Sequence, residues 1–135
     1  MTAPVLLSAA MLLLLLPGSL TEGRSSVPID VVVENSLENT PPVTFSTHVV
    51  YRGILLGALK QLMDSNSNFK FTYTEDPNYG PYLESVNGVA GNDKDHTYWE
   101  LLVKTQDGKI IRPDVGIGCY IPSANEQIVL KFTKW

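Results

Sequence analysis

Residues 78–104 read NYGPYLESVNGVAGNDKDHTYWELLVK, and they contain the strand and turn patterns on which the predicted fold depends. Residues 81–88, PYLESVNG, predict a short strand closed by Asn87-Gly88, a dipeptide typical of tight hairpin turns. The following AGNDKDH is polar and predicts a loop. Residues 97–104, TYWELLVK, are rich in aromatic and aliphatic side chains and predict a second strand.

Further strands are predicted on both sides of this stretch. Residues 27–36 (VPIDVVVENS) and 43–49 (VTFSTHV) are β-branched or alternating, and in FKFTYTE the side chains of Phe69, Phe71 and Tyr73 share one face. Asp107-Gly108 closes a hairpin after residues 97–104, and IVLKFTKW forms the last strand. With one helix after the second strand, this order predicts an α+β domain of β-grasp type, a bent, mostly antiparallel sheet crossed by one amphipathic helix.

The helix is predicted in STHVVYRGILLGALKQLMDSNSN, where apolar residues recur at spacings of three and four. We expect Ser46 or Thr47 to cap its first turn, and we expect His48 to lie at its start. Its apolar face consists of Val50, Ile54, Leu55, Ala58, Leu59, Leu62 and Met63.

Residues 1–23 contain an apolar run of signal-peptide length, with Leu12–Leu16 unbroken before Pro17-Gly18. The run is short for a membrane span, so we interpret it as a signal peptide, with an uncleaved anchor as the alternative. Residues 24–135 then form one domain, and no later segment is apolar enough to span a bilayer. This organisation predicts a secreted, extracellular protein.

Charge and cysteine content narrow the classes of function. The net charge of −4 and the absence of a Lys/Arg patch argue against nucleic-acid binding. Cys119 is the only cysteine, so the domain has no internal disulfide and no cysteine zinc site. Its apolar neighbours in GIGCYIP favour a buried, inert thiol, and an intermolecular disulfide is the alternative.

Catalytic and metal-binding arrangements are weak in this sequence. His96 follows Asp95 in the loop DKDH and could be oriented by it, but no Ser or Cys nucleophile sits in a glycine-rich elbow. A solvated loop explains DKDH better than a metal site. We therefore predict a non-enzymatic protein without a metal site, and keep the Asp95/His96 pair as a remote alternative.

A binding surface is the stronger prediction, because Tyr79, Tyr82, Tyr98 and Trp99 all lie in the first stretch. Tyrosine and tryptophan provide broad, rigid contact area and keep a polar group. Neighbouring side chains of a strand point to opposite faces, so at most one of Tyr98 and Trp99 belongs to the core.

YGPYLESVNGVAGNDKDHTYWELL, GIGCYIP and the closing IVLKFTKW resemble the C-terminal β-domain of the cobalamin (vitamin B12) carriers, the family of transcobalamin, gastric intrinsic factor and haptocorrin. The resemblance implies a β-grasp module that binds cobalamin and takes part in vitamin B12 and cobalt transport. It implies these ligand contacts: Asn78, Tyr79, Gly80, Pro81, Tyr82, Leu83, Trp99, Glu100, Leu101 and Leu102. The indole of Trp99 would lie against the ligand, and backbone groups of Gly80, Pro81, Glu100 and Leu101 would bond to its amides or nucleotide loop.

Three departures from the carriers qualify this resemblance. Their larger α-barrel domain, which covers the other side of the vitamin, has no counterpart before Val27. The segment 103–115 is longer and would form the rim of the site, and Cys119 stands where the carriers have Asp. We expect about micromolar affinity at best for such a half-site, unless a separate barrel-domain partner closes it. The alternative is an extracellular protein-interaction module, docking on a receptor or partner through its edge strands or the hairpin at 106–108.

Overall fold

The computed structural model describes residues 26–78 and 80–135, so the predicted signal peptide and Tyr79 lie outside the described residues. Eight strands and one helix follow in chain order: β1 Ser26–Asn35, β2 Val43–Val50, α1 Leu55–Ser65, β3 Phe71–Asp76, β4 Gly80–Val86, β5 Val89–Ala90, β6 Thr97–Lys104, β7 Ile110–Ile111 and β8 Gln127–Lys134. The predicted α+β class is confirmed. In this part of the chain, no helix has the length and apolarity needed to cross a membrane.

The strands form two sheets. A five-stranded sheet has the order β2-β1-β8-β6-β7, and a three-stranded sheet has the order β3-β4-β5. β1 and β8 pair in parallel, and the other pairs are antiparallel. The single bent sheet that we predicted is therefore divided between β4 and β6, and this division creates the recess described below.

The core lies between the helix and the inner faces of the sheets. Val31 of β1 is fully buried between its partners Phe45 of β2 and Ile128 of β8. From the helix, the buried side chains are Leu55, Leu56, Ala58, Leu59 and Leu62. Each large apolar side chain buried in this way contributes about 1.5–3 kcal/mol.

The predicted start of the helix is wrong. Ser46, Thr47 and His48 belong to β2, where the side chains of Ser46 and His48 point to solvent and that of Thr47 points inward. α1 begins nine residues after Ser46, and Val50 is largely exposed outside it. Polar residues alternating along an edge strand gave the same local pattern as a helix cap.

Main-chain oxygens of a distant loop provide the actual cap of α1. The N-cap residue Ile54 makes no side-chain cap bond. The N–H of Leu55 donates to the Tyr120 carbonyl at 2.8 Å, and the N–H of Leu56 donates to the Ile117 carbonyl at 2.8 Å. These bonds satisfy donors that a helix leaves free at its start, and they fix the loop 116–120 on the core.

The hairpin turn at Asn87-Gly88 is confirmed. Asn87 has φ 51° and Gly88 has φ 85°, the left-handed pair that a two-residue type I′ turn requires. Val86 pairs with Val89 across this turn, and the N–H of Gly91 donates to the Glu84 carbonyl. This hairpin brings the end of β4 towards β6.

Candidate functional site

One edge of β6 is open over most of its length. β8 pairs with β6 from Thr97 to Lys104, whereas β7 pairs only with Val103 and Lys104. If the β7 register continued, Arg112 would lie opposite Leu102 and Pro113 opposite Leu101, and a proline has no N–H to donate. The proline therefore ends the pairing and leaves the rest of this edge uncovered.

The open edge presents main-chain groups of Trp99 and Leu101. The N–H of Thr105 donates to the Lys109 carbonyl, and the N–H of Thr97 donates to the Asn92 carbonyl. Because neither acceptor belongs to β8, both N–H groups point away from that strand. Backbone groups alternate in direction along a strand, so Trp99 and Leu101 point the same way. Within residues 26–78 and 80–135, no main-chain partner bonds to them on this side. The edge thus offers two N–H donors and two carbonyl acceptors.

A recess of about 250 Å³ lies along this edge, between β6, β4 and the segment 112–117. It contains six of the residues that the resemblance implied: Pro81, Tyr82, Leu83, Trp99, Glu100 and Leu101. The fold therefore brings residues of two separate strands together in one cleft.

A second, more polar recess of about 770 Å³ adjoins the first. Both are lined by Pro81, Tyr82 and Gly116, and the second also contains the implied residue Asn78. Four acidic side chains line it, namely Glu75, Asp76, Asp93 and Asp114. The implied residues Gly80 and Leu102 line neither recess.

Trp99 is more buried than the resemblance implied. Its side chain is 6% exposed, its ring packs 5.1 Å from that of Phe132, and its Nε1–H donates to the Val89 carbonyl at 2.8 Å. As expected, only one residue of the Tyr98/Trp99 pair lies in the core. Tyr82, which is 51% exposed, provides most of the aromatic surface open to a ligand in the recess.

Glu100 lines the first recess through its side chain, whereas the resemblance implied a ligand contact of its backbone. Its main chain points to β8, opposite Lys131. The carboxylate is 9% exposed, accepts a hydrogen bond from the Tyr98 hydroxyl at 3.1 Å, and forms an ion pair with Arg112. Burial, followed by the bond to Glu100, raises the pKa of Tyr98. Arg112, whose side chain is 70% exposed, is a member of this cluster.

The loop 116–119 closes the recess from the other side. Gly118 packs directly on the ring of Pro81, and Gly116 lines both recesses. Cys119 is exposed and lines the second recess, so the expectation of a buried thiol is wrong. Pro113 and Ile117 also line the first recess and were not predicted as site residues. Pro113 itself was the signal available in the sequence, because a proline in this position ends β7 and leaves the following residues free to line a recess.

The Asp95/His96 pair is separate from these recesses. The His96 ring packs edge-on against Trp135 at 5.1 Å, and the Trp135 N–H donates to the His96 carbonyl. Neither residue lines the two recesses. Among the described residues, no group of three or more His, Cys, Asp or Glu side chains is placed to hold a metal ion.

Curated relatives of this chain are cobalamin-binding proteins by name. Cobalamin binding intrinsic factor of Mus musculus is 32% identical over 129 residues, which cover 88% of this chain and 30% of the relative. The Homo sapiens intrinsic factor is 26% identical over 122 residues, and Transcobalamin-1 of Homo sapiens is 30% identical over 95 residues. The chain spans 30% or less of the length of each of these relatives.

Two solved structures share the fold. Haptocorrin in complex with Cbi matches with a TM-score of 0.69 and 22% identity, covering 83% of this chain and 26% of that one. A putative metal binding protein from Ruminococcus gnavus matches with a TM-score of 0.54 and 15% identity, covering 81% of this chain and 98% of that one. The fold thus occurs both as part of a large carrier and as almost an entire chain.

The family model described as a domain of unknown function, DUF4430, matches residues 54–134. This range begins at the residue before α1 and contains β3 to β8, and therefore both strands and the loop that form the recesses. The chain belongs to the DUF4430 family and resembles the β-domain of the cobalamin carriers.

Proposed function

We propose that this chain is a secreted, non-enzymatic binding module that takes cobalamin or a similar amphipathic ligand at the recess between β4 and β6. The observation that carries the proposal is the open edge of β6 at Trp99 and Leu101, which forms one wall of a mostly apolar cleft. A ligand with an apolar body and a fringe of amides matches apolar walls combined with main-chain donors and acceptors. Cobalamin is such a ligand.

The size of the recess indicates that it holds one side of the ligand. Sites that bury most of a drug-sized molecule have volumes of about 300–1,000 Å³, and the first recess is about 250 Å³. A large ligand would extend over Tyr82 into the second recess and leave its other side in solvent. We therefore propose about micromolar affinity at best for this chain alone, with tighter binding when a separate barrel-domain partner covers the free side.

The names of the relatives support the proposed class of ligand. The curated relatives are named for cobalamin binding or as transcobalamins, and the haptocorrin structure is a complex with Cbi. The resemblance of residues 1–23 to a signal peptide agrees with a secreted carrier. A chain that spans about a third of such a carrier would provide one half of the binding site.

Equilibrium titration with cyanocobalamin tests the proposal, using tryptophan fluorescence and the corrin absorption spectrum. We expect saturable binding by the parent and about tenfold weaker binding by Tyr82→Ala, since that ring gives the recess its exposed aromatic surface. Tyr51→Ala is the matched control, because Tyr51 is 62% exposed and lines neither recess. A folded parent that shows no change with cyanocobalamin at about hundred-micromolar concentration, at most a hundred times the proposed dissociation constant, overturns the proposal.

A second candidate function is protein interaction through the hairpin of β6 and β7. Ile110 is 65% exposed and Ile111 is also exposed, beside Arg112 and Pro113 at the recess. Such a rim could dock on a receptor or on the barrel domain of a carrier. Sedimentation with a separately produced barrel domain, with and without cyanocobalamin, separates the two: a complex without the vitamin that Ile110→Ser abolishes favours the second candidate.

A further inference from the structure

Glu100 places a buried charge in the wall of the first recess. Its side chain is 9% exposed and stands on the outer face of β6 beside Tyr98. The oxygen Oε2 accepts hydrogen bonds from the Tyr98 hydroxyl and from Nη2 of Arg112. The second oxygen, Oε1, makes no hydrogen bond to any described residue, and it is therefore reachable by solvent, because no buried side-chain oxygen of the described residues lacks a hydrogen-bond partner. This oxygen thus remains available to a ligand as an acceptor, in a side chain that is otherwise largely buried.

An acceptor of this kind discriminates between ligands. A ligand that displaces water from this oxygen must supply an N–H or O–H of its own, because an oxygen left without a donor in the complex costs free energy. Hydrogen bonds to a charged acceptor are about twice as strong as neutral ones. A ligand carboxylate at the same position has no proton to donate and meets a like charge.

We propose that the Glu100 carboxylate is a specificity-determining group of the recess, which selects ligands that present a neutral amide or hydroxyl donor and rejects those that present a carboxylate. This inference rests on the proposed function to the extent that both place a ligand in the first recess. It predicts which chemical group of an amphipathic ligand is placed beside β6.

Arg112 is the rival determinant, since a guanidinium would attract a carboxylate. Its side chain is 70% exposed, whereas that of Glu100 is 9% exposed. Water screens the charge of Arg112, and Coulomb interactions strengthen as groups are removed from water. The buried Glu100 carboxylate therefore sets the preference for amide over carboxylate ligands, and removal of Arg112 increases that preference.

Fragment binding tests this proposal without the vitamin. Isobutyramide and isobutyrate have the same apolar body and differ in the amide or carboxylate group. Their dissociation constants are measured from shifts of the Trp99 and Leu101 main-chain N–H signals in NMR spectra. The parent is compared with Glu100→Gln, Arg112→Gln and the control Asp64→Asn, which removes one negative charge from exposed α1 surface outside both recesses.

We expect the parent to bind isobutyramide about tenfold more tightly than isobutyrate, the ratio that one charge-assisted hydrogen bond supplies. Glu100→Gln brings the ratio close to one, Arg112→Gln increases it, and Asp64→Asn leaves it unchanged. If Glu100→Gln fails to fold, the Arg112→Gln result decides, because a dominant guanidinium predicts the opposite change.

The proposal is overturned if the parent binds neither fragment saturably, prefers isobutyrate, or keeps its preference in Glu100→Gln. Cyanocobalamin and a monocarboxylic acid derivative made from one of its amides are then titrated with the same variants. A preference for isobutyramide without cyanocobalamin binding refutes the proposed function and leaves the role of Glu100 intact. Cyanocobalamin binding without a fragment preference refutes the role of Glu100 alone.

Discussion

The ring of Pro81 lies directly against the backbone of Gly118, so a Cβ atom at Gly118 would stand 2.5 Å from Pro81 Cδ. This contact joins the start of β4 to the loop whose carbonyls cap α1. Both recesses meet at this point, because Pro81 and Gly116 line each of them. The shape of the site thus depends on a residue that has no side chain.

Gly118→Ala is expected to destabilise the protein by about 1–3 kcal/mol, the usual cost of forcing an extra methyl group into a packed position. Gly57→Ala is the matched control, because its Cβ would meet nothing within 4 Å on exposed helix surface. That change should stabilise the protein by about 0.5–1 kcal/mol. Urea unfolding measures both. Equal stability of Gly118→Ala and the parent would contradict the close contact.

The two aromatic residues of the recess should separate stability from binding. Trp99→Ala removes a buried indole and its bond to Val89, and is expected to cost about 3–5 kcal/mol. Tyr82→Ala should change the free energy of unfolding by less than about 1 kcal/mol, since the side chain is half exposed. Thermal unfolding of both variants checks this difference. A Trp99→Ala variant as stable as the parent would show that the indole is not part of the core.

Stability should fall at alkaline pH because of Tyr120. Burial, followed by its bond to Glu126, raises the pKa of Tyr120 above the ordinary value of 10.0. The folded state therefore keeps a proton that the unfolded state loses, so the stabilisation is complete below about pH 10 and decreases above it. Urea unfolding at pH 8, 10 and 11 should show that the free energy of unfolding falls less steeply with pH in Tyr120→Phe than in the parent. A parallel decrease in the two proteins would refute this assignment.

Cys119 should react in the native protein. Its side chain is exposed, so a thiol reagent such as 5,5′-dithiobis(2-nitrobenzoate) should modify one thiol per chain without denaturant. The modified protein should bind cyanocobalamin more weakly, because the group occupies the second recess. Cys119→Ser is the control, and should bind as the parent does. Reaction that requires urea would contradict the exposed position.

Local sequence patterns correctly predicted the elements whose conformation depends mainly on neighbouring residues. The strand at 97–104 has the predicted bounds, because aromatic and aliphatic residues fill it and a polar loop precedes it. The Asn87-Gly88 turn follows from the left-handed conformation that these residues tolerate. Phe69 and Phe71 are buried on one face, as their alternation predicted.

Long-range partners explain what the sequence could not predict. α1 is capped by carbonyls of residues 117 and 120, more than fifty positions away, and no Ser or Thr marks its start. Cys119 has apolar neighbours, but a turn closed by Gly116 turns its side chain outward. The pairing of Arg112 with Glu100 depends on where β7 ends, which follows from Pro113 only once the strand register is known.

Ligand binding along the open edge of β6 can be followed residue by residue in two-dimensional ¹H–¹⁵N NMR spectra during titration with cyanocobalamin. We expect saturable shifts of the main-chain signals of Trp99, Leu101 and Tyr82, with a single dissociation constant and no change along β2. Saturable shifts confined to β2 or α1, or none at all in the folded protein, would contradict it.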